Sequence, residues 1–88
     1  MPNKPRRLMP HAPLLITRPL ASRHDLYQAL ARCLFRGERS APTNLDAMAD
    51  LLRETQVRTI VCAQWDLPTA DDRAVREVLG DLGIALQL

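Results

Sequence analysis

Aromatic side chains are scarce: the 88 residues hold one Phe, one Tyr and one Trp. A core must therefore be assembled from Leu, Ala, Val and Ile, with Phe35 and Tyr27 expected as its large plugs. Glycine is as sparse, three residues in all, and no GxGxxG, Walker-type or GxSxG arrangement is present to cradle a phosphate or expose a nucleophile. Cys33 and Cys62 show neither CxxC nor Cys/His spacing, which argues against a zinc site and predicts two reduced, unlinked thiols. His11 and His24 have no further ligand spaced to complete a cluster with them. No metal or other cofactor is expected. An enzyme is the least favoured class, because no nucleophile is paired with a base anywhere along the chain. No apolar run approaches the roughly 20 residues that span a bilayer, and the opening Met1-Pro2-Asn3-Lys4-Pro5-Arg6-Arg7 leads into a proline-broken stretch rather than a signal peptide's apolar centre. The expectation is a single soluble, cytoplasmic domain without a membrane partner.

Charge is present but unevenly spread. The net value is +2, yet the first half is basic and the second acidic, which suggests a polyanion-facing end, an acidic surface for a basic partner, or internal compensation. Residues 1–13 carry Pro2, Pro5, Pro10 and Pro13 among Lys4, Arg6 and Arg7, too many prolines for a helix or an interior strand. An irregular or extended arm is predicted. Without a stacking aromatic it is not expected to hold RNA, and nucleic acid is not the favoured partner.

Leu14 to Thr17 forms a short apolar run, read as a first, well-buried strand ended by Pro19. Ser22 with Asp25 three residues on is a capping box, Leu26, Leu30, Cys33 and Leu34 recur at helical spacing, and Gly37 stops the helix. After a polar loop comes Thr43 to Glu54, where Thr43 or Asn44 can cap and Asp46 lies near the positive end of the helix dipole. At 100° per residue Leu45, Met48, Ala49 and Leu52 share one arc, while Asp46, Asp50 and Glu54 form an acidic row roughly opposite. Neighbouring like charges on a helix repel by about 0.2–0.5 kcal/mol per pair, so the row is mildly unfavourable for the helix alone. A solvated face with acids placed for the dipole is the plain explanation; a partner surface is the sharper one.

Val57 to Ala63, β-branched and nearly continuous in its apolar character, reads as a strand at a sheet centre or covered on both faces. Thr69, with Asp72 three on, is expected to cap a third helix with Val75, Val78, Leu79 and Leu82 inward, ended by Gly80 and Gly83. Asp66, Asp71 and Asp72 read as turn and cap carboxylates in preference to a metal or general-base cluster. The predicted fold is α/β: a three-stranded parallel sheet from residues near 14–17, 58–64 and 84–88, with helices near 23–35, 44–55 and 70–81, in the order β-α-α-β-α-β.

The string Asn44-Leu45-Asp46-Ala47-Met48, with Asp50 two residues further, resembles the Asn-Leu-Asp-Ala-Leu-x-Asp signature of the barstar family, intracellular inhibitors of barnase-like ribonucleases. The surrounding order of elements is similar over residues 14–88. The resemblance implies a barstar-like domain after the arm, whose acidic helix occludes the active site of a basic, secreted-type ribonuclease or other cationic protein. It implies Asp46 and Asp50 as principal contacts, Asn44 as the residue shaping the helix start, and Glu77 as a flanking charge; Glu54, the third acid of the row, joins them by its spacing. Two other functions remain open: an adaptor or structural interaction protein on the same fold without ribonuclease inhibition, and an RNA-binding accessory module using the basic first half.

Overall fold

The computed structural model describes residues 13–88; the predicted arm, apart from Pro13, lies outside them. The elements are β1 (Leu14–Ile16), α1 (Arg23–Phe35), α2 (Leu45–Thr55), β2 (Thr59–Cys62), α3 (Thr69–Asp81) and β3 (Ala85–Gln87). All strand pairs are parallel and the spatial order is β1-β2-β3. The α/β fold with the order β-α-α-β-α-β is the one the sequence predicts.

The register places Leu14, Ile60 and Leu86 side by side, then Leu15, Val61 and Gln87 on the next rung. Side chains alternate across a strand, so the two rungs face opposite ways. Ile16, Ile60, Cys62 and Ile84 are buried, and they share one apolar cluster with Leu26 and Leu30 of α1, Met48 and Leu52 of α2, and Val75 and Leu79 of α3. On the other face Leu15 is 63% exposed, and Ala85 and Gln87 are open to solvent. All three helices therefore pack on one face of the sheet. This is the arrangement that crossovers of a single hand between successive neighbours produce. One expectation changes accordingly. β1 is not well buried: Leu14 and Ile16 face the core, Leu14 only half-buried, while Leu15 points to solvent. β2 lies at the sheet centre, one of the two readings its apolar run allows, and is covered on one face, with Thr59 and Val61 half-buried.

Local signals account for the helix ends. Ser22 Oγ accepts the Asp25 N–H at 3.1 Å, and the Asp25 carboxylate takes the Ala21 N–H at 2.9 Å. α1 stops because Arg36, at φ 53°, and Gly37, at φ 78°, are both left-handed. Cys33, expected inward, is exposed, and its thiol lies 3.7 Å from the Leu15 carbonyl. The two cysteines are unlinked, and burial, with a smaller contribution from Cys33, pushes the Cys62 thiol up to about 11. Tyr27 is a core plug at 5% exposure, whereas Phe35 is half-buried at the core's edge.

α3 differs more. Its N-cap is Pro68, without a side-chain cap, and Thr69 is already helical. Asp72, expected to cap, instead accepts the Trp65 Nε1–H at 2.6 Å and the Arg76 Nε–H at 2.8 Å, which together hold its carboxyl below the usual carboxylate range, Arg76 contributing most. Gly80 lies within the helix, and only Gly83, at φ 73°, marks the turn beyond it. Asp71 reaches Arg23 at 2.9 Å and so ties the start of α3 to the start of α1. The loops after β1 and β2 are linked as well, with Leu20 N–H donating to the Gln64 carbonyl at 2.9 Å and Asp66 N–H to the Leu20 carbonyl at 2.8 Å. Among the described residues no helix is long and apolar enough to cross a membrane.

Candidate functional site

α2 is anchored from one side. Met48 is fully buried, Leu52 is 1% exposed and Leu51 6%. Ala49 is buried beside them. Burying side chains of this size contributes about 1.5–3 kcal/mol each relative to leaving them in water, enough to fix the helix's rotation about its axis. Asn44 settles the helix start: its Oδ1 accepts the Ala47 N–H at 2.8 Å, so Asn44 rather than Thr43 is the cap. Asp46 then falls in the first turn.

That rotation leaves Asp46, Asp50 and Glu54 exposed on the outer side, where the spacing predicted them. Two of the three have counter-ions. Arg53 Nη1 donates to Asp50 Oδ1 at 2.9 Å from three residues further along the same helix. Arg39, from the loop before α2, donates to Glu54 through Nη1 at 2.6 Å and through Nη2 at 3.5 Å, while its guanidinium lies over the Phe35 ring at 4.2 Å. The Arg39 hydrogen bond, and after it the Arg39 charge, lower the Glu54 pKa. Asp46 has no ion pair among the described residues. The self-repulsion of the acidic row is thus relieved by arginines, which the row's own sequence did not reveal.

Between α2 and the loop lies a groove of about 310 Å³, bordered by Arg39, Pro42, Thr43, Ala47, Asp50 and Glu54. Pro42 is buried, which stiffens the loop wall. Chemically, the face offers carboxylates on a rigid support, with acceptor geometry suited to guanidinium or ammonium groups. Asn44, Asp46, Asp50 and Glu54 are brought together on or beside one helix. Glu77 is not part of this set: it is exposed on α3, and no hydrogen bond or ion pair links it to them among the described residues.

The counter-ion that sequence reasoning missed is Arg53, which could have been found from its i+3 spacing to Asp50. Arg39 reads from the sequence as solvated, with pairing to the acids that follow as the alternative; the structure shows the pair, with Glu54 fifteen residues away. Two carboxylates at the start of α3 are engaged elsewhere, Asp71 by Arg23 and Asp72 by Trp65 and Arg76. Among the described residues no group of three or more His, Cys, Asp or Glu side chains is placed to hold a metal ion. Compared with protein-family models, with curated proteins and with solved structures, the chain matches none.

Proposed function

We propose that this protein is an inhibitor or immunity protein of barstar-like type, which binds a basic ribonuclease through the outer face of α2. The observation that carries this reading is the pairing of a locked inner face with an exposed acidic outer one: Met48 and Leu52 fix the helix, and Asp46, Asp50 and Glu54 project from it. A ribonuclease cleft is lined with cationic groups that hold phosphates. Carboxylates on a rigid helix can take those phosphate positions and exclude substrate with no reaction of their own. Asp46, free of an internal counter-ion among the described residues, and Asp50, whose side chain is 79% exposed, are the principal contacts. Asn44 sets the helix start, Glu54 extends the charge, and Glu77 acts at most at the periphery.

The decisive substitution is Asp50→Ala. The side chain makes one surface ion pair, so its loss is expected to change stability by no more than about 0.5 kcal/mol. Loss of a desolvated charge contact at an interface costs about 2–5 kcal/mol, a weakening of roughly 30- to several-thousand-fold. The measurements are thermal unfolding of the variant alone and calorimetric binding, at low and high salt, to basic ribonucleases, beginning with any that a neighbouring reading frame encodes. Unchanged affinity with a large fall in melting temperature would make Asp50 structural and remove the reading.

A further inference from the structure

The outward side of α1 carries His24, Gln28 and Arg32 at intervals of four residues, one above another and about 6 Å apart. Arg36, the C-cap, continues the line. Beside this row runs a groove of about 590 Å³ whose far wall is the Gly37–Thr43 loop. Its unpaired charged lining is Arg32 and Arg36, supplemented by the donors of Gln28 and Ser40; Arg39 stands in its far wall with its charge met by Glu54 from outside the groove, and no carboxylate is among the lining residues. A second groove, of about 480 Å³, flanks the same row and adds Arg18. The acid of that second groove, Asp25, is occupied as a cap residue. Arg32 and Arg36 are exposed and have no ion pair among the described residues.

A basic residue in a last helical turn complements the helix dipole, which explains Arg32. It does not explain why arginines from the β1–α1 loop, the end of α1 and the following loop converge along one helix side, with every acid kept out of the larger trough. A ligand for such a trough is anionic at several points along a line and rich in acceptors. It gains little from stacking, because Tyr27, the one Phe, Tyr or Trp in the wall, is 5% exposed and gives its ring to the core, leaving only the small imidazole of His24. The line from His24 to Arg36 is about 18 Å long, a span of a few nucleotides.

The geometry points to this trough as a sequence-independent binding site for the phosphodiester backbone of a single-stranded nucleic acid. The site is separate from the acidic face of α2. The Arg39–Thr43 loop stands between them, and Arg39 is secured there by Glu54 and Phe35. Its contacts are electrostatic, so affinity falls steeply with salt and differs little between base sequences.

The test uses the full chain and a labelled uridine oligomer about 12 nucleotides long, followed by fluorescence anisotropy at about 50 and 200 mM salt. The expected dissociation constant is roughly 1–100 µM at the higher, near-physiological salt and lower at about 50 mM. In the Arg32→Gln/Arg36→Gln double variant, affinity drops about tenfold or more and the log–log salt slope shrinks by about 1.4, that is, ~0.7 for each phosphate no longer neutralised. Neutralising Lys4, Arg6 and Arg7 to Gln has the smaller effect. In the unsubstituted protein, amide chemical-shift changes on adding the oligomer fall on α1 and residues 37–43, a readout independent of how the variant folds. The proposal is overturned by absence of binding at the lower salt, by a loss that follows the Lys4, Arg6 and Arg7 substitutions but not the double variant, by shift changes confined to other elements, or by polyglutamate or duplex competing as well as the single strand.

Discussion

α1 and α2 are built to one plan and dressed in opposite charge. Each begins at a side-chain cap, Ser22 or Asn44, buries one arc of aliphatic residues, and ends on a non-glycine residue in the left-handed region, Arg36 or Gln56. Their inner faces are interchangeable in kind, Leu26 and Leu30 on one, Met48 and Leu52 on the other. Their outer faces are not: α1 presents Arg32 to its groove, while α2 presents Asp46, Asp50 and Glu54. The inner arcs and the caps hold each helix in place, so the charges on the outer faces can differ without changing the fold. The two fields meet through the Arg39–Glu54 pair.

The strongest way to break this comparison is to attack the shared plan. Leu30 is fully buried in α1 and Leu52 is 1% exposed in α2. Leu30→Ala and Leu52→Ala should each cost about 2–5 kcal/mol, and at about 4–8 °C per kcal/mol for a domain of this size both should lower the thermal midpoint by more than 8 °C or so. If either substitution cost under about 1 kcal/mol, that helix would not be anchored as described, and its outer face would have no fixed direction. A smaller effect comes from the start of α2. Asn44→Ala removes the acceptor for the Ala47 N–H and should cost about 1 kcal/mol, whereas Asn44→Gly should cost only a few tenths or so. Equal losses in the two variants, measured by denaturant titration, would show that the cap does not set the helix start.

The smallest effect sharpens the boundary between the fields. Arg39→Ala should lower stability slightly, by less than Asn44→Ala and not at all in high salt, because the pair is solvent-exposed. Its clearer readout is acid. Glu54's folded-state pKa is depressed below the ordinary 4.5, so the pair contributes stability above that value and loses it as pH falls through the depressed one. In Arg39→Ala the Glu54 carboxyl should titrate nearer its ordinary value in a carboxylate NMR titration, and this part of the acid destabilisation should disappear. An unchanged titration would mean that the two fields do not touch in solution.

Much of this architecture is written locally. α1 could be bounded at both ends because Ser22, Asp25 and the aliphatic spacing all lie at or within it, and the acidic row of α2 follows from 100° per residue. The misreadings share one cause. Whether Leu15 or Val61 is covered depends on which side of the sheet the connecting helices cross, a property of strand order rather than of an apolar run. Thr69 looked like a cap because Asp72 stands three residues on, yet that carboxylate is claimed by Trp65 and Arg76. Cys33 fell within the apparent core arc of α1, but that arc ends at the sheet's edge, beside the Leu15 carbonyl. In the candidate site the acids were legible, and so was the possibility that Arg39 pairs with the acids that follow it, but not which acid, since the bond to Glu54 spans a loop whose path the residue types alone do not specify.

Parallel strands in the order β1-β2-β3 also fix how the protein would answer to force. The chain enters β1 at one end of the sheet and leaves β3 at the opposite end and the opposite edge. Tension applied at Leu14 and Gln87 runs along the strands, so both ladders are loaded in shear and their hydrogen bonds must yield together rather than open one at a time. A sheet so short, with helices on only one face among the described residues, would still resist stretching from these two points better than peeling from either edge, and a single-molecule pulling geometry that grips β2 and β3 from the same end should find the weaker direction.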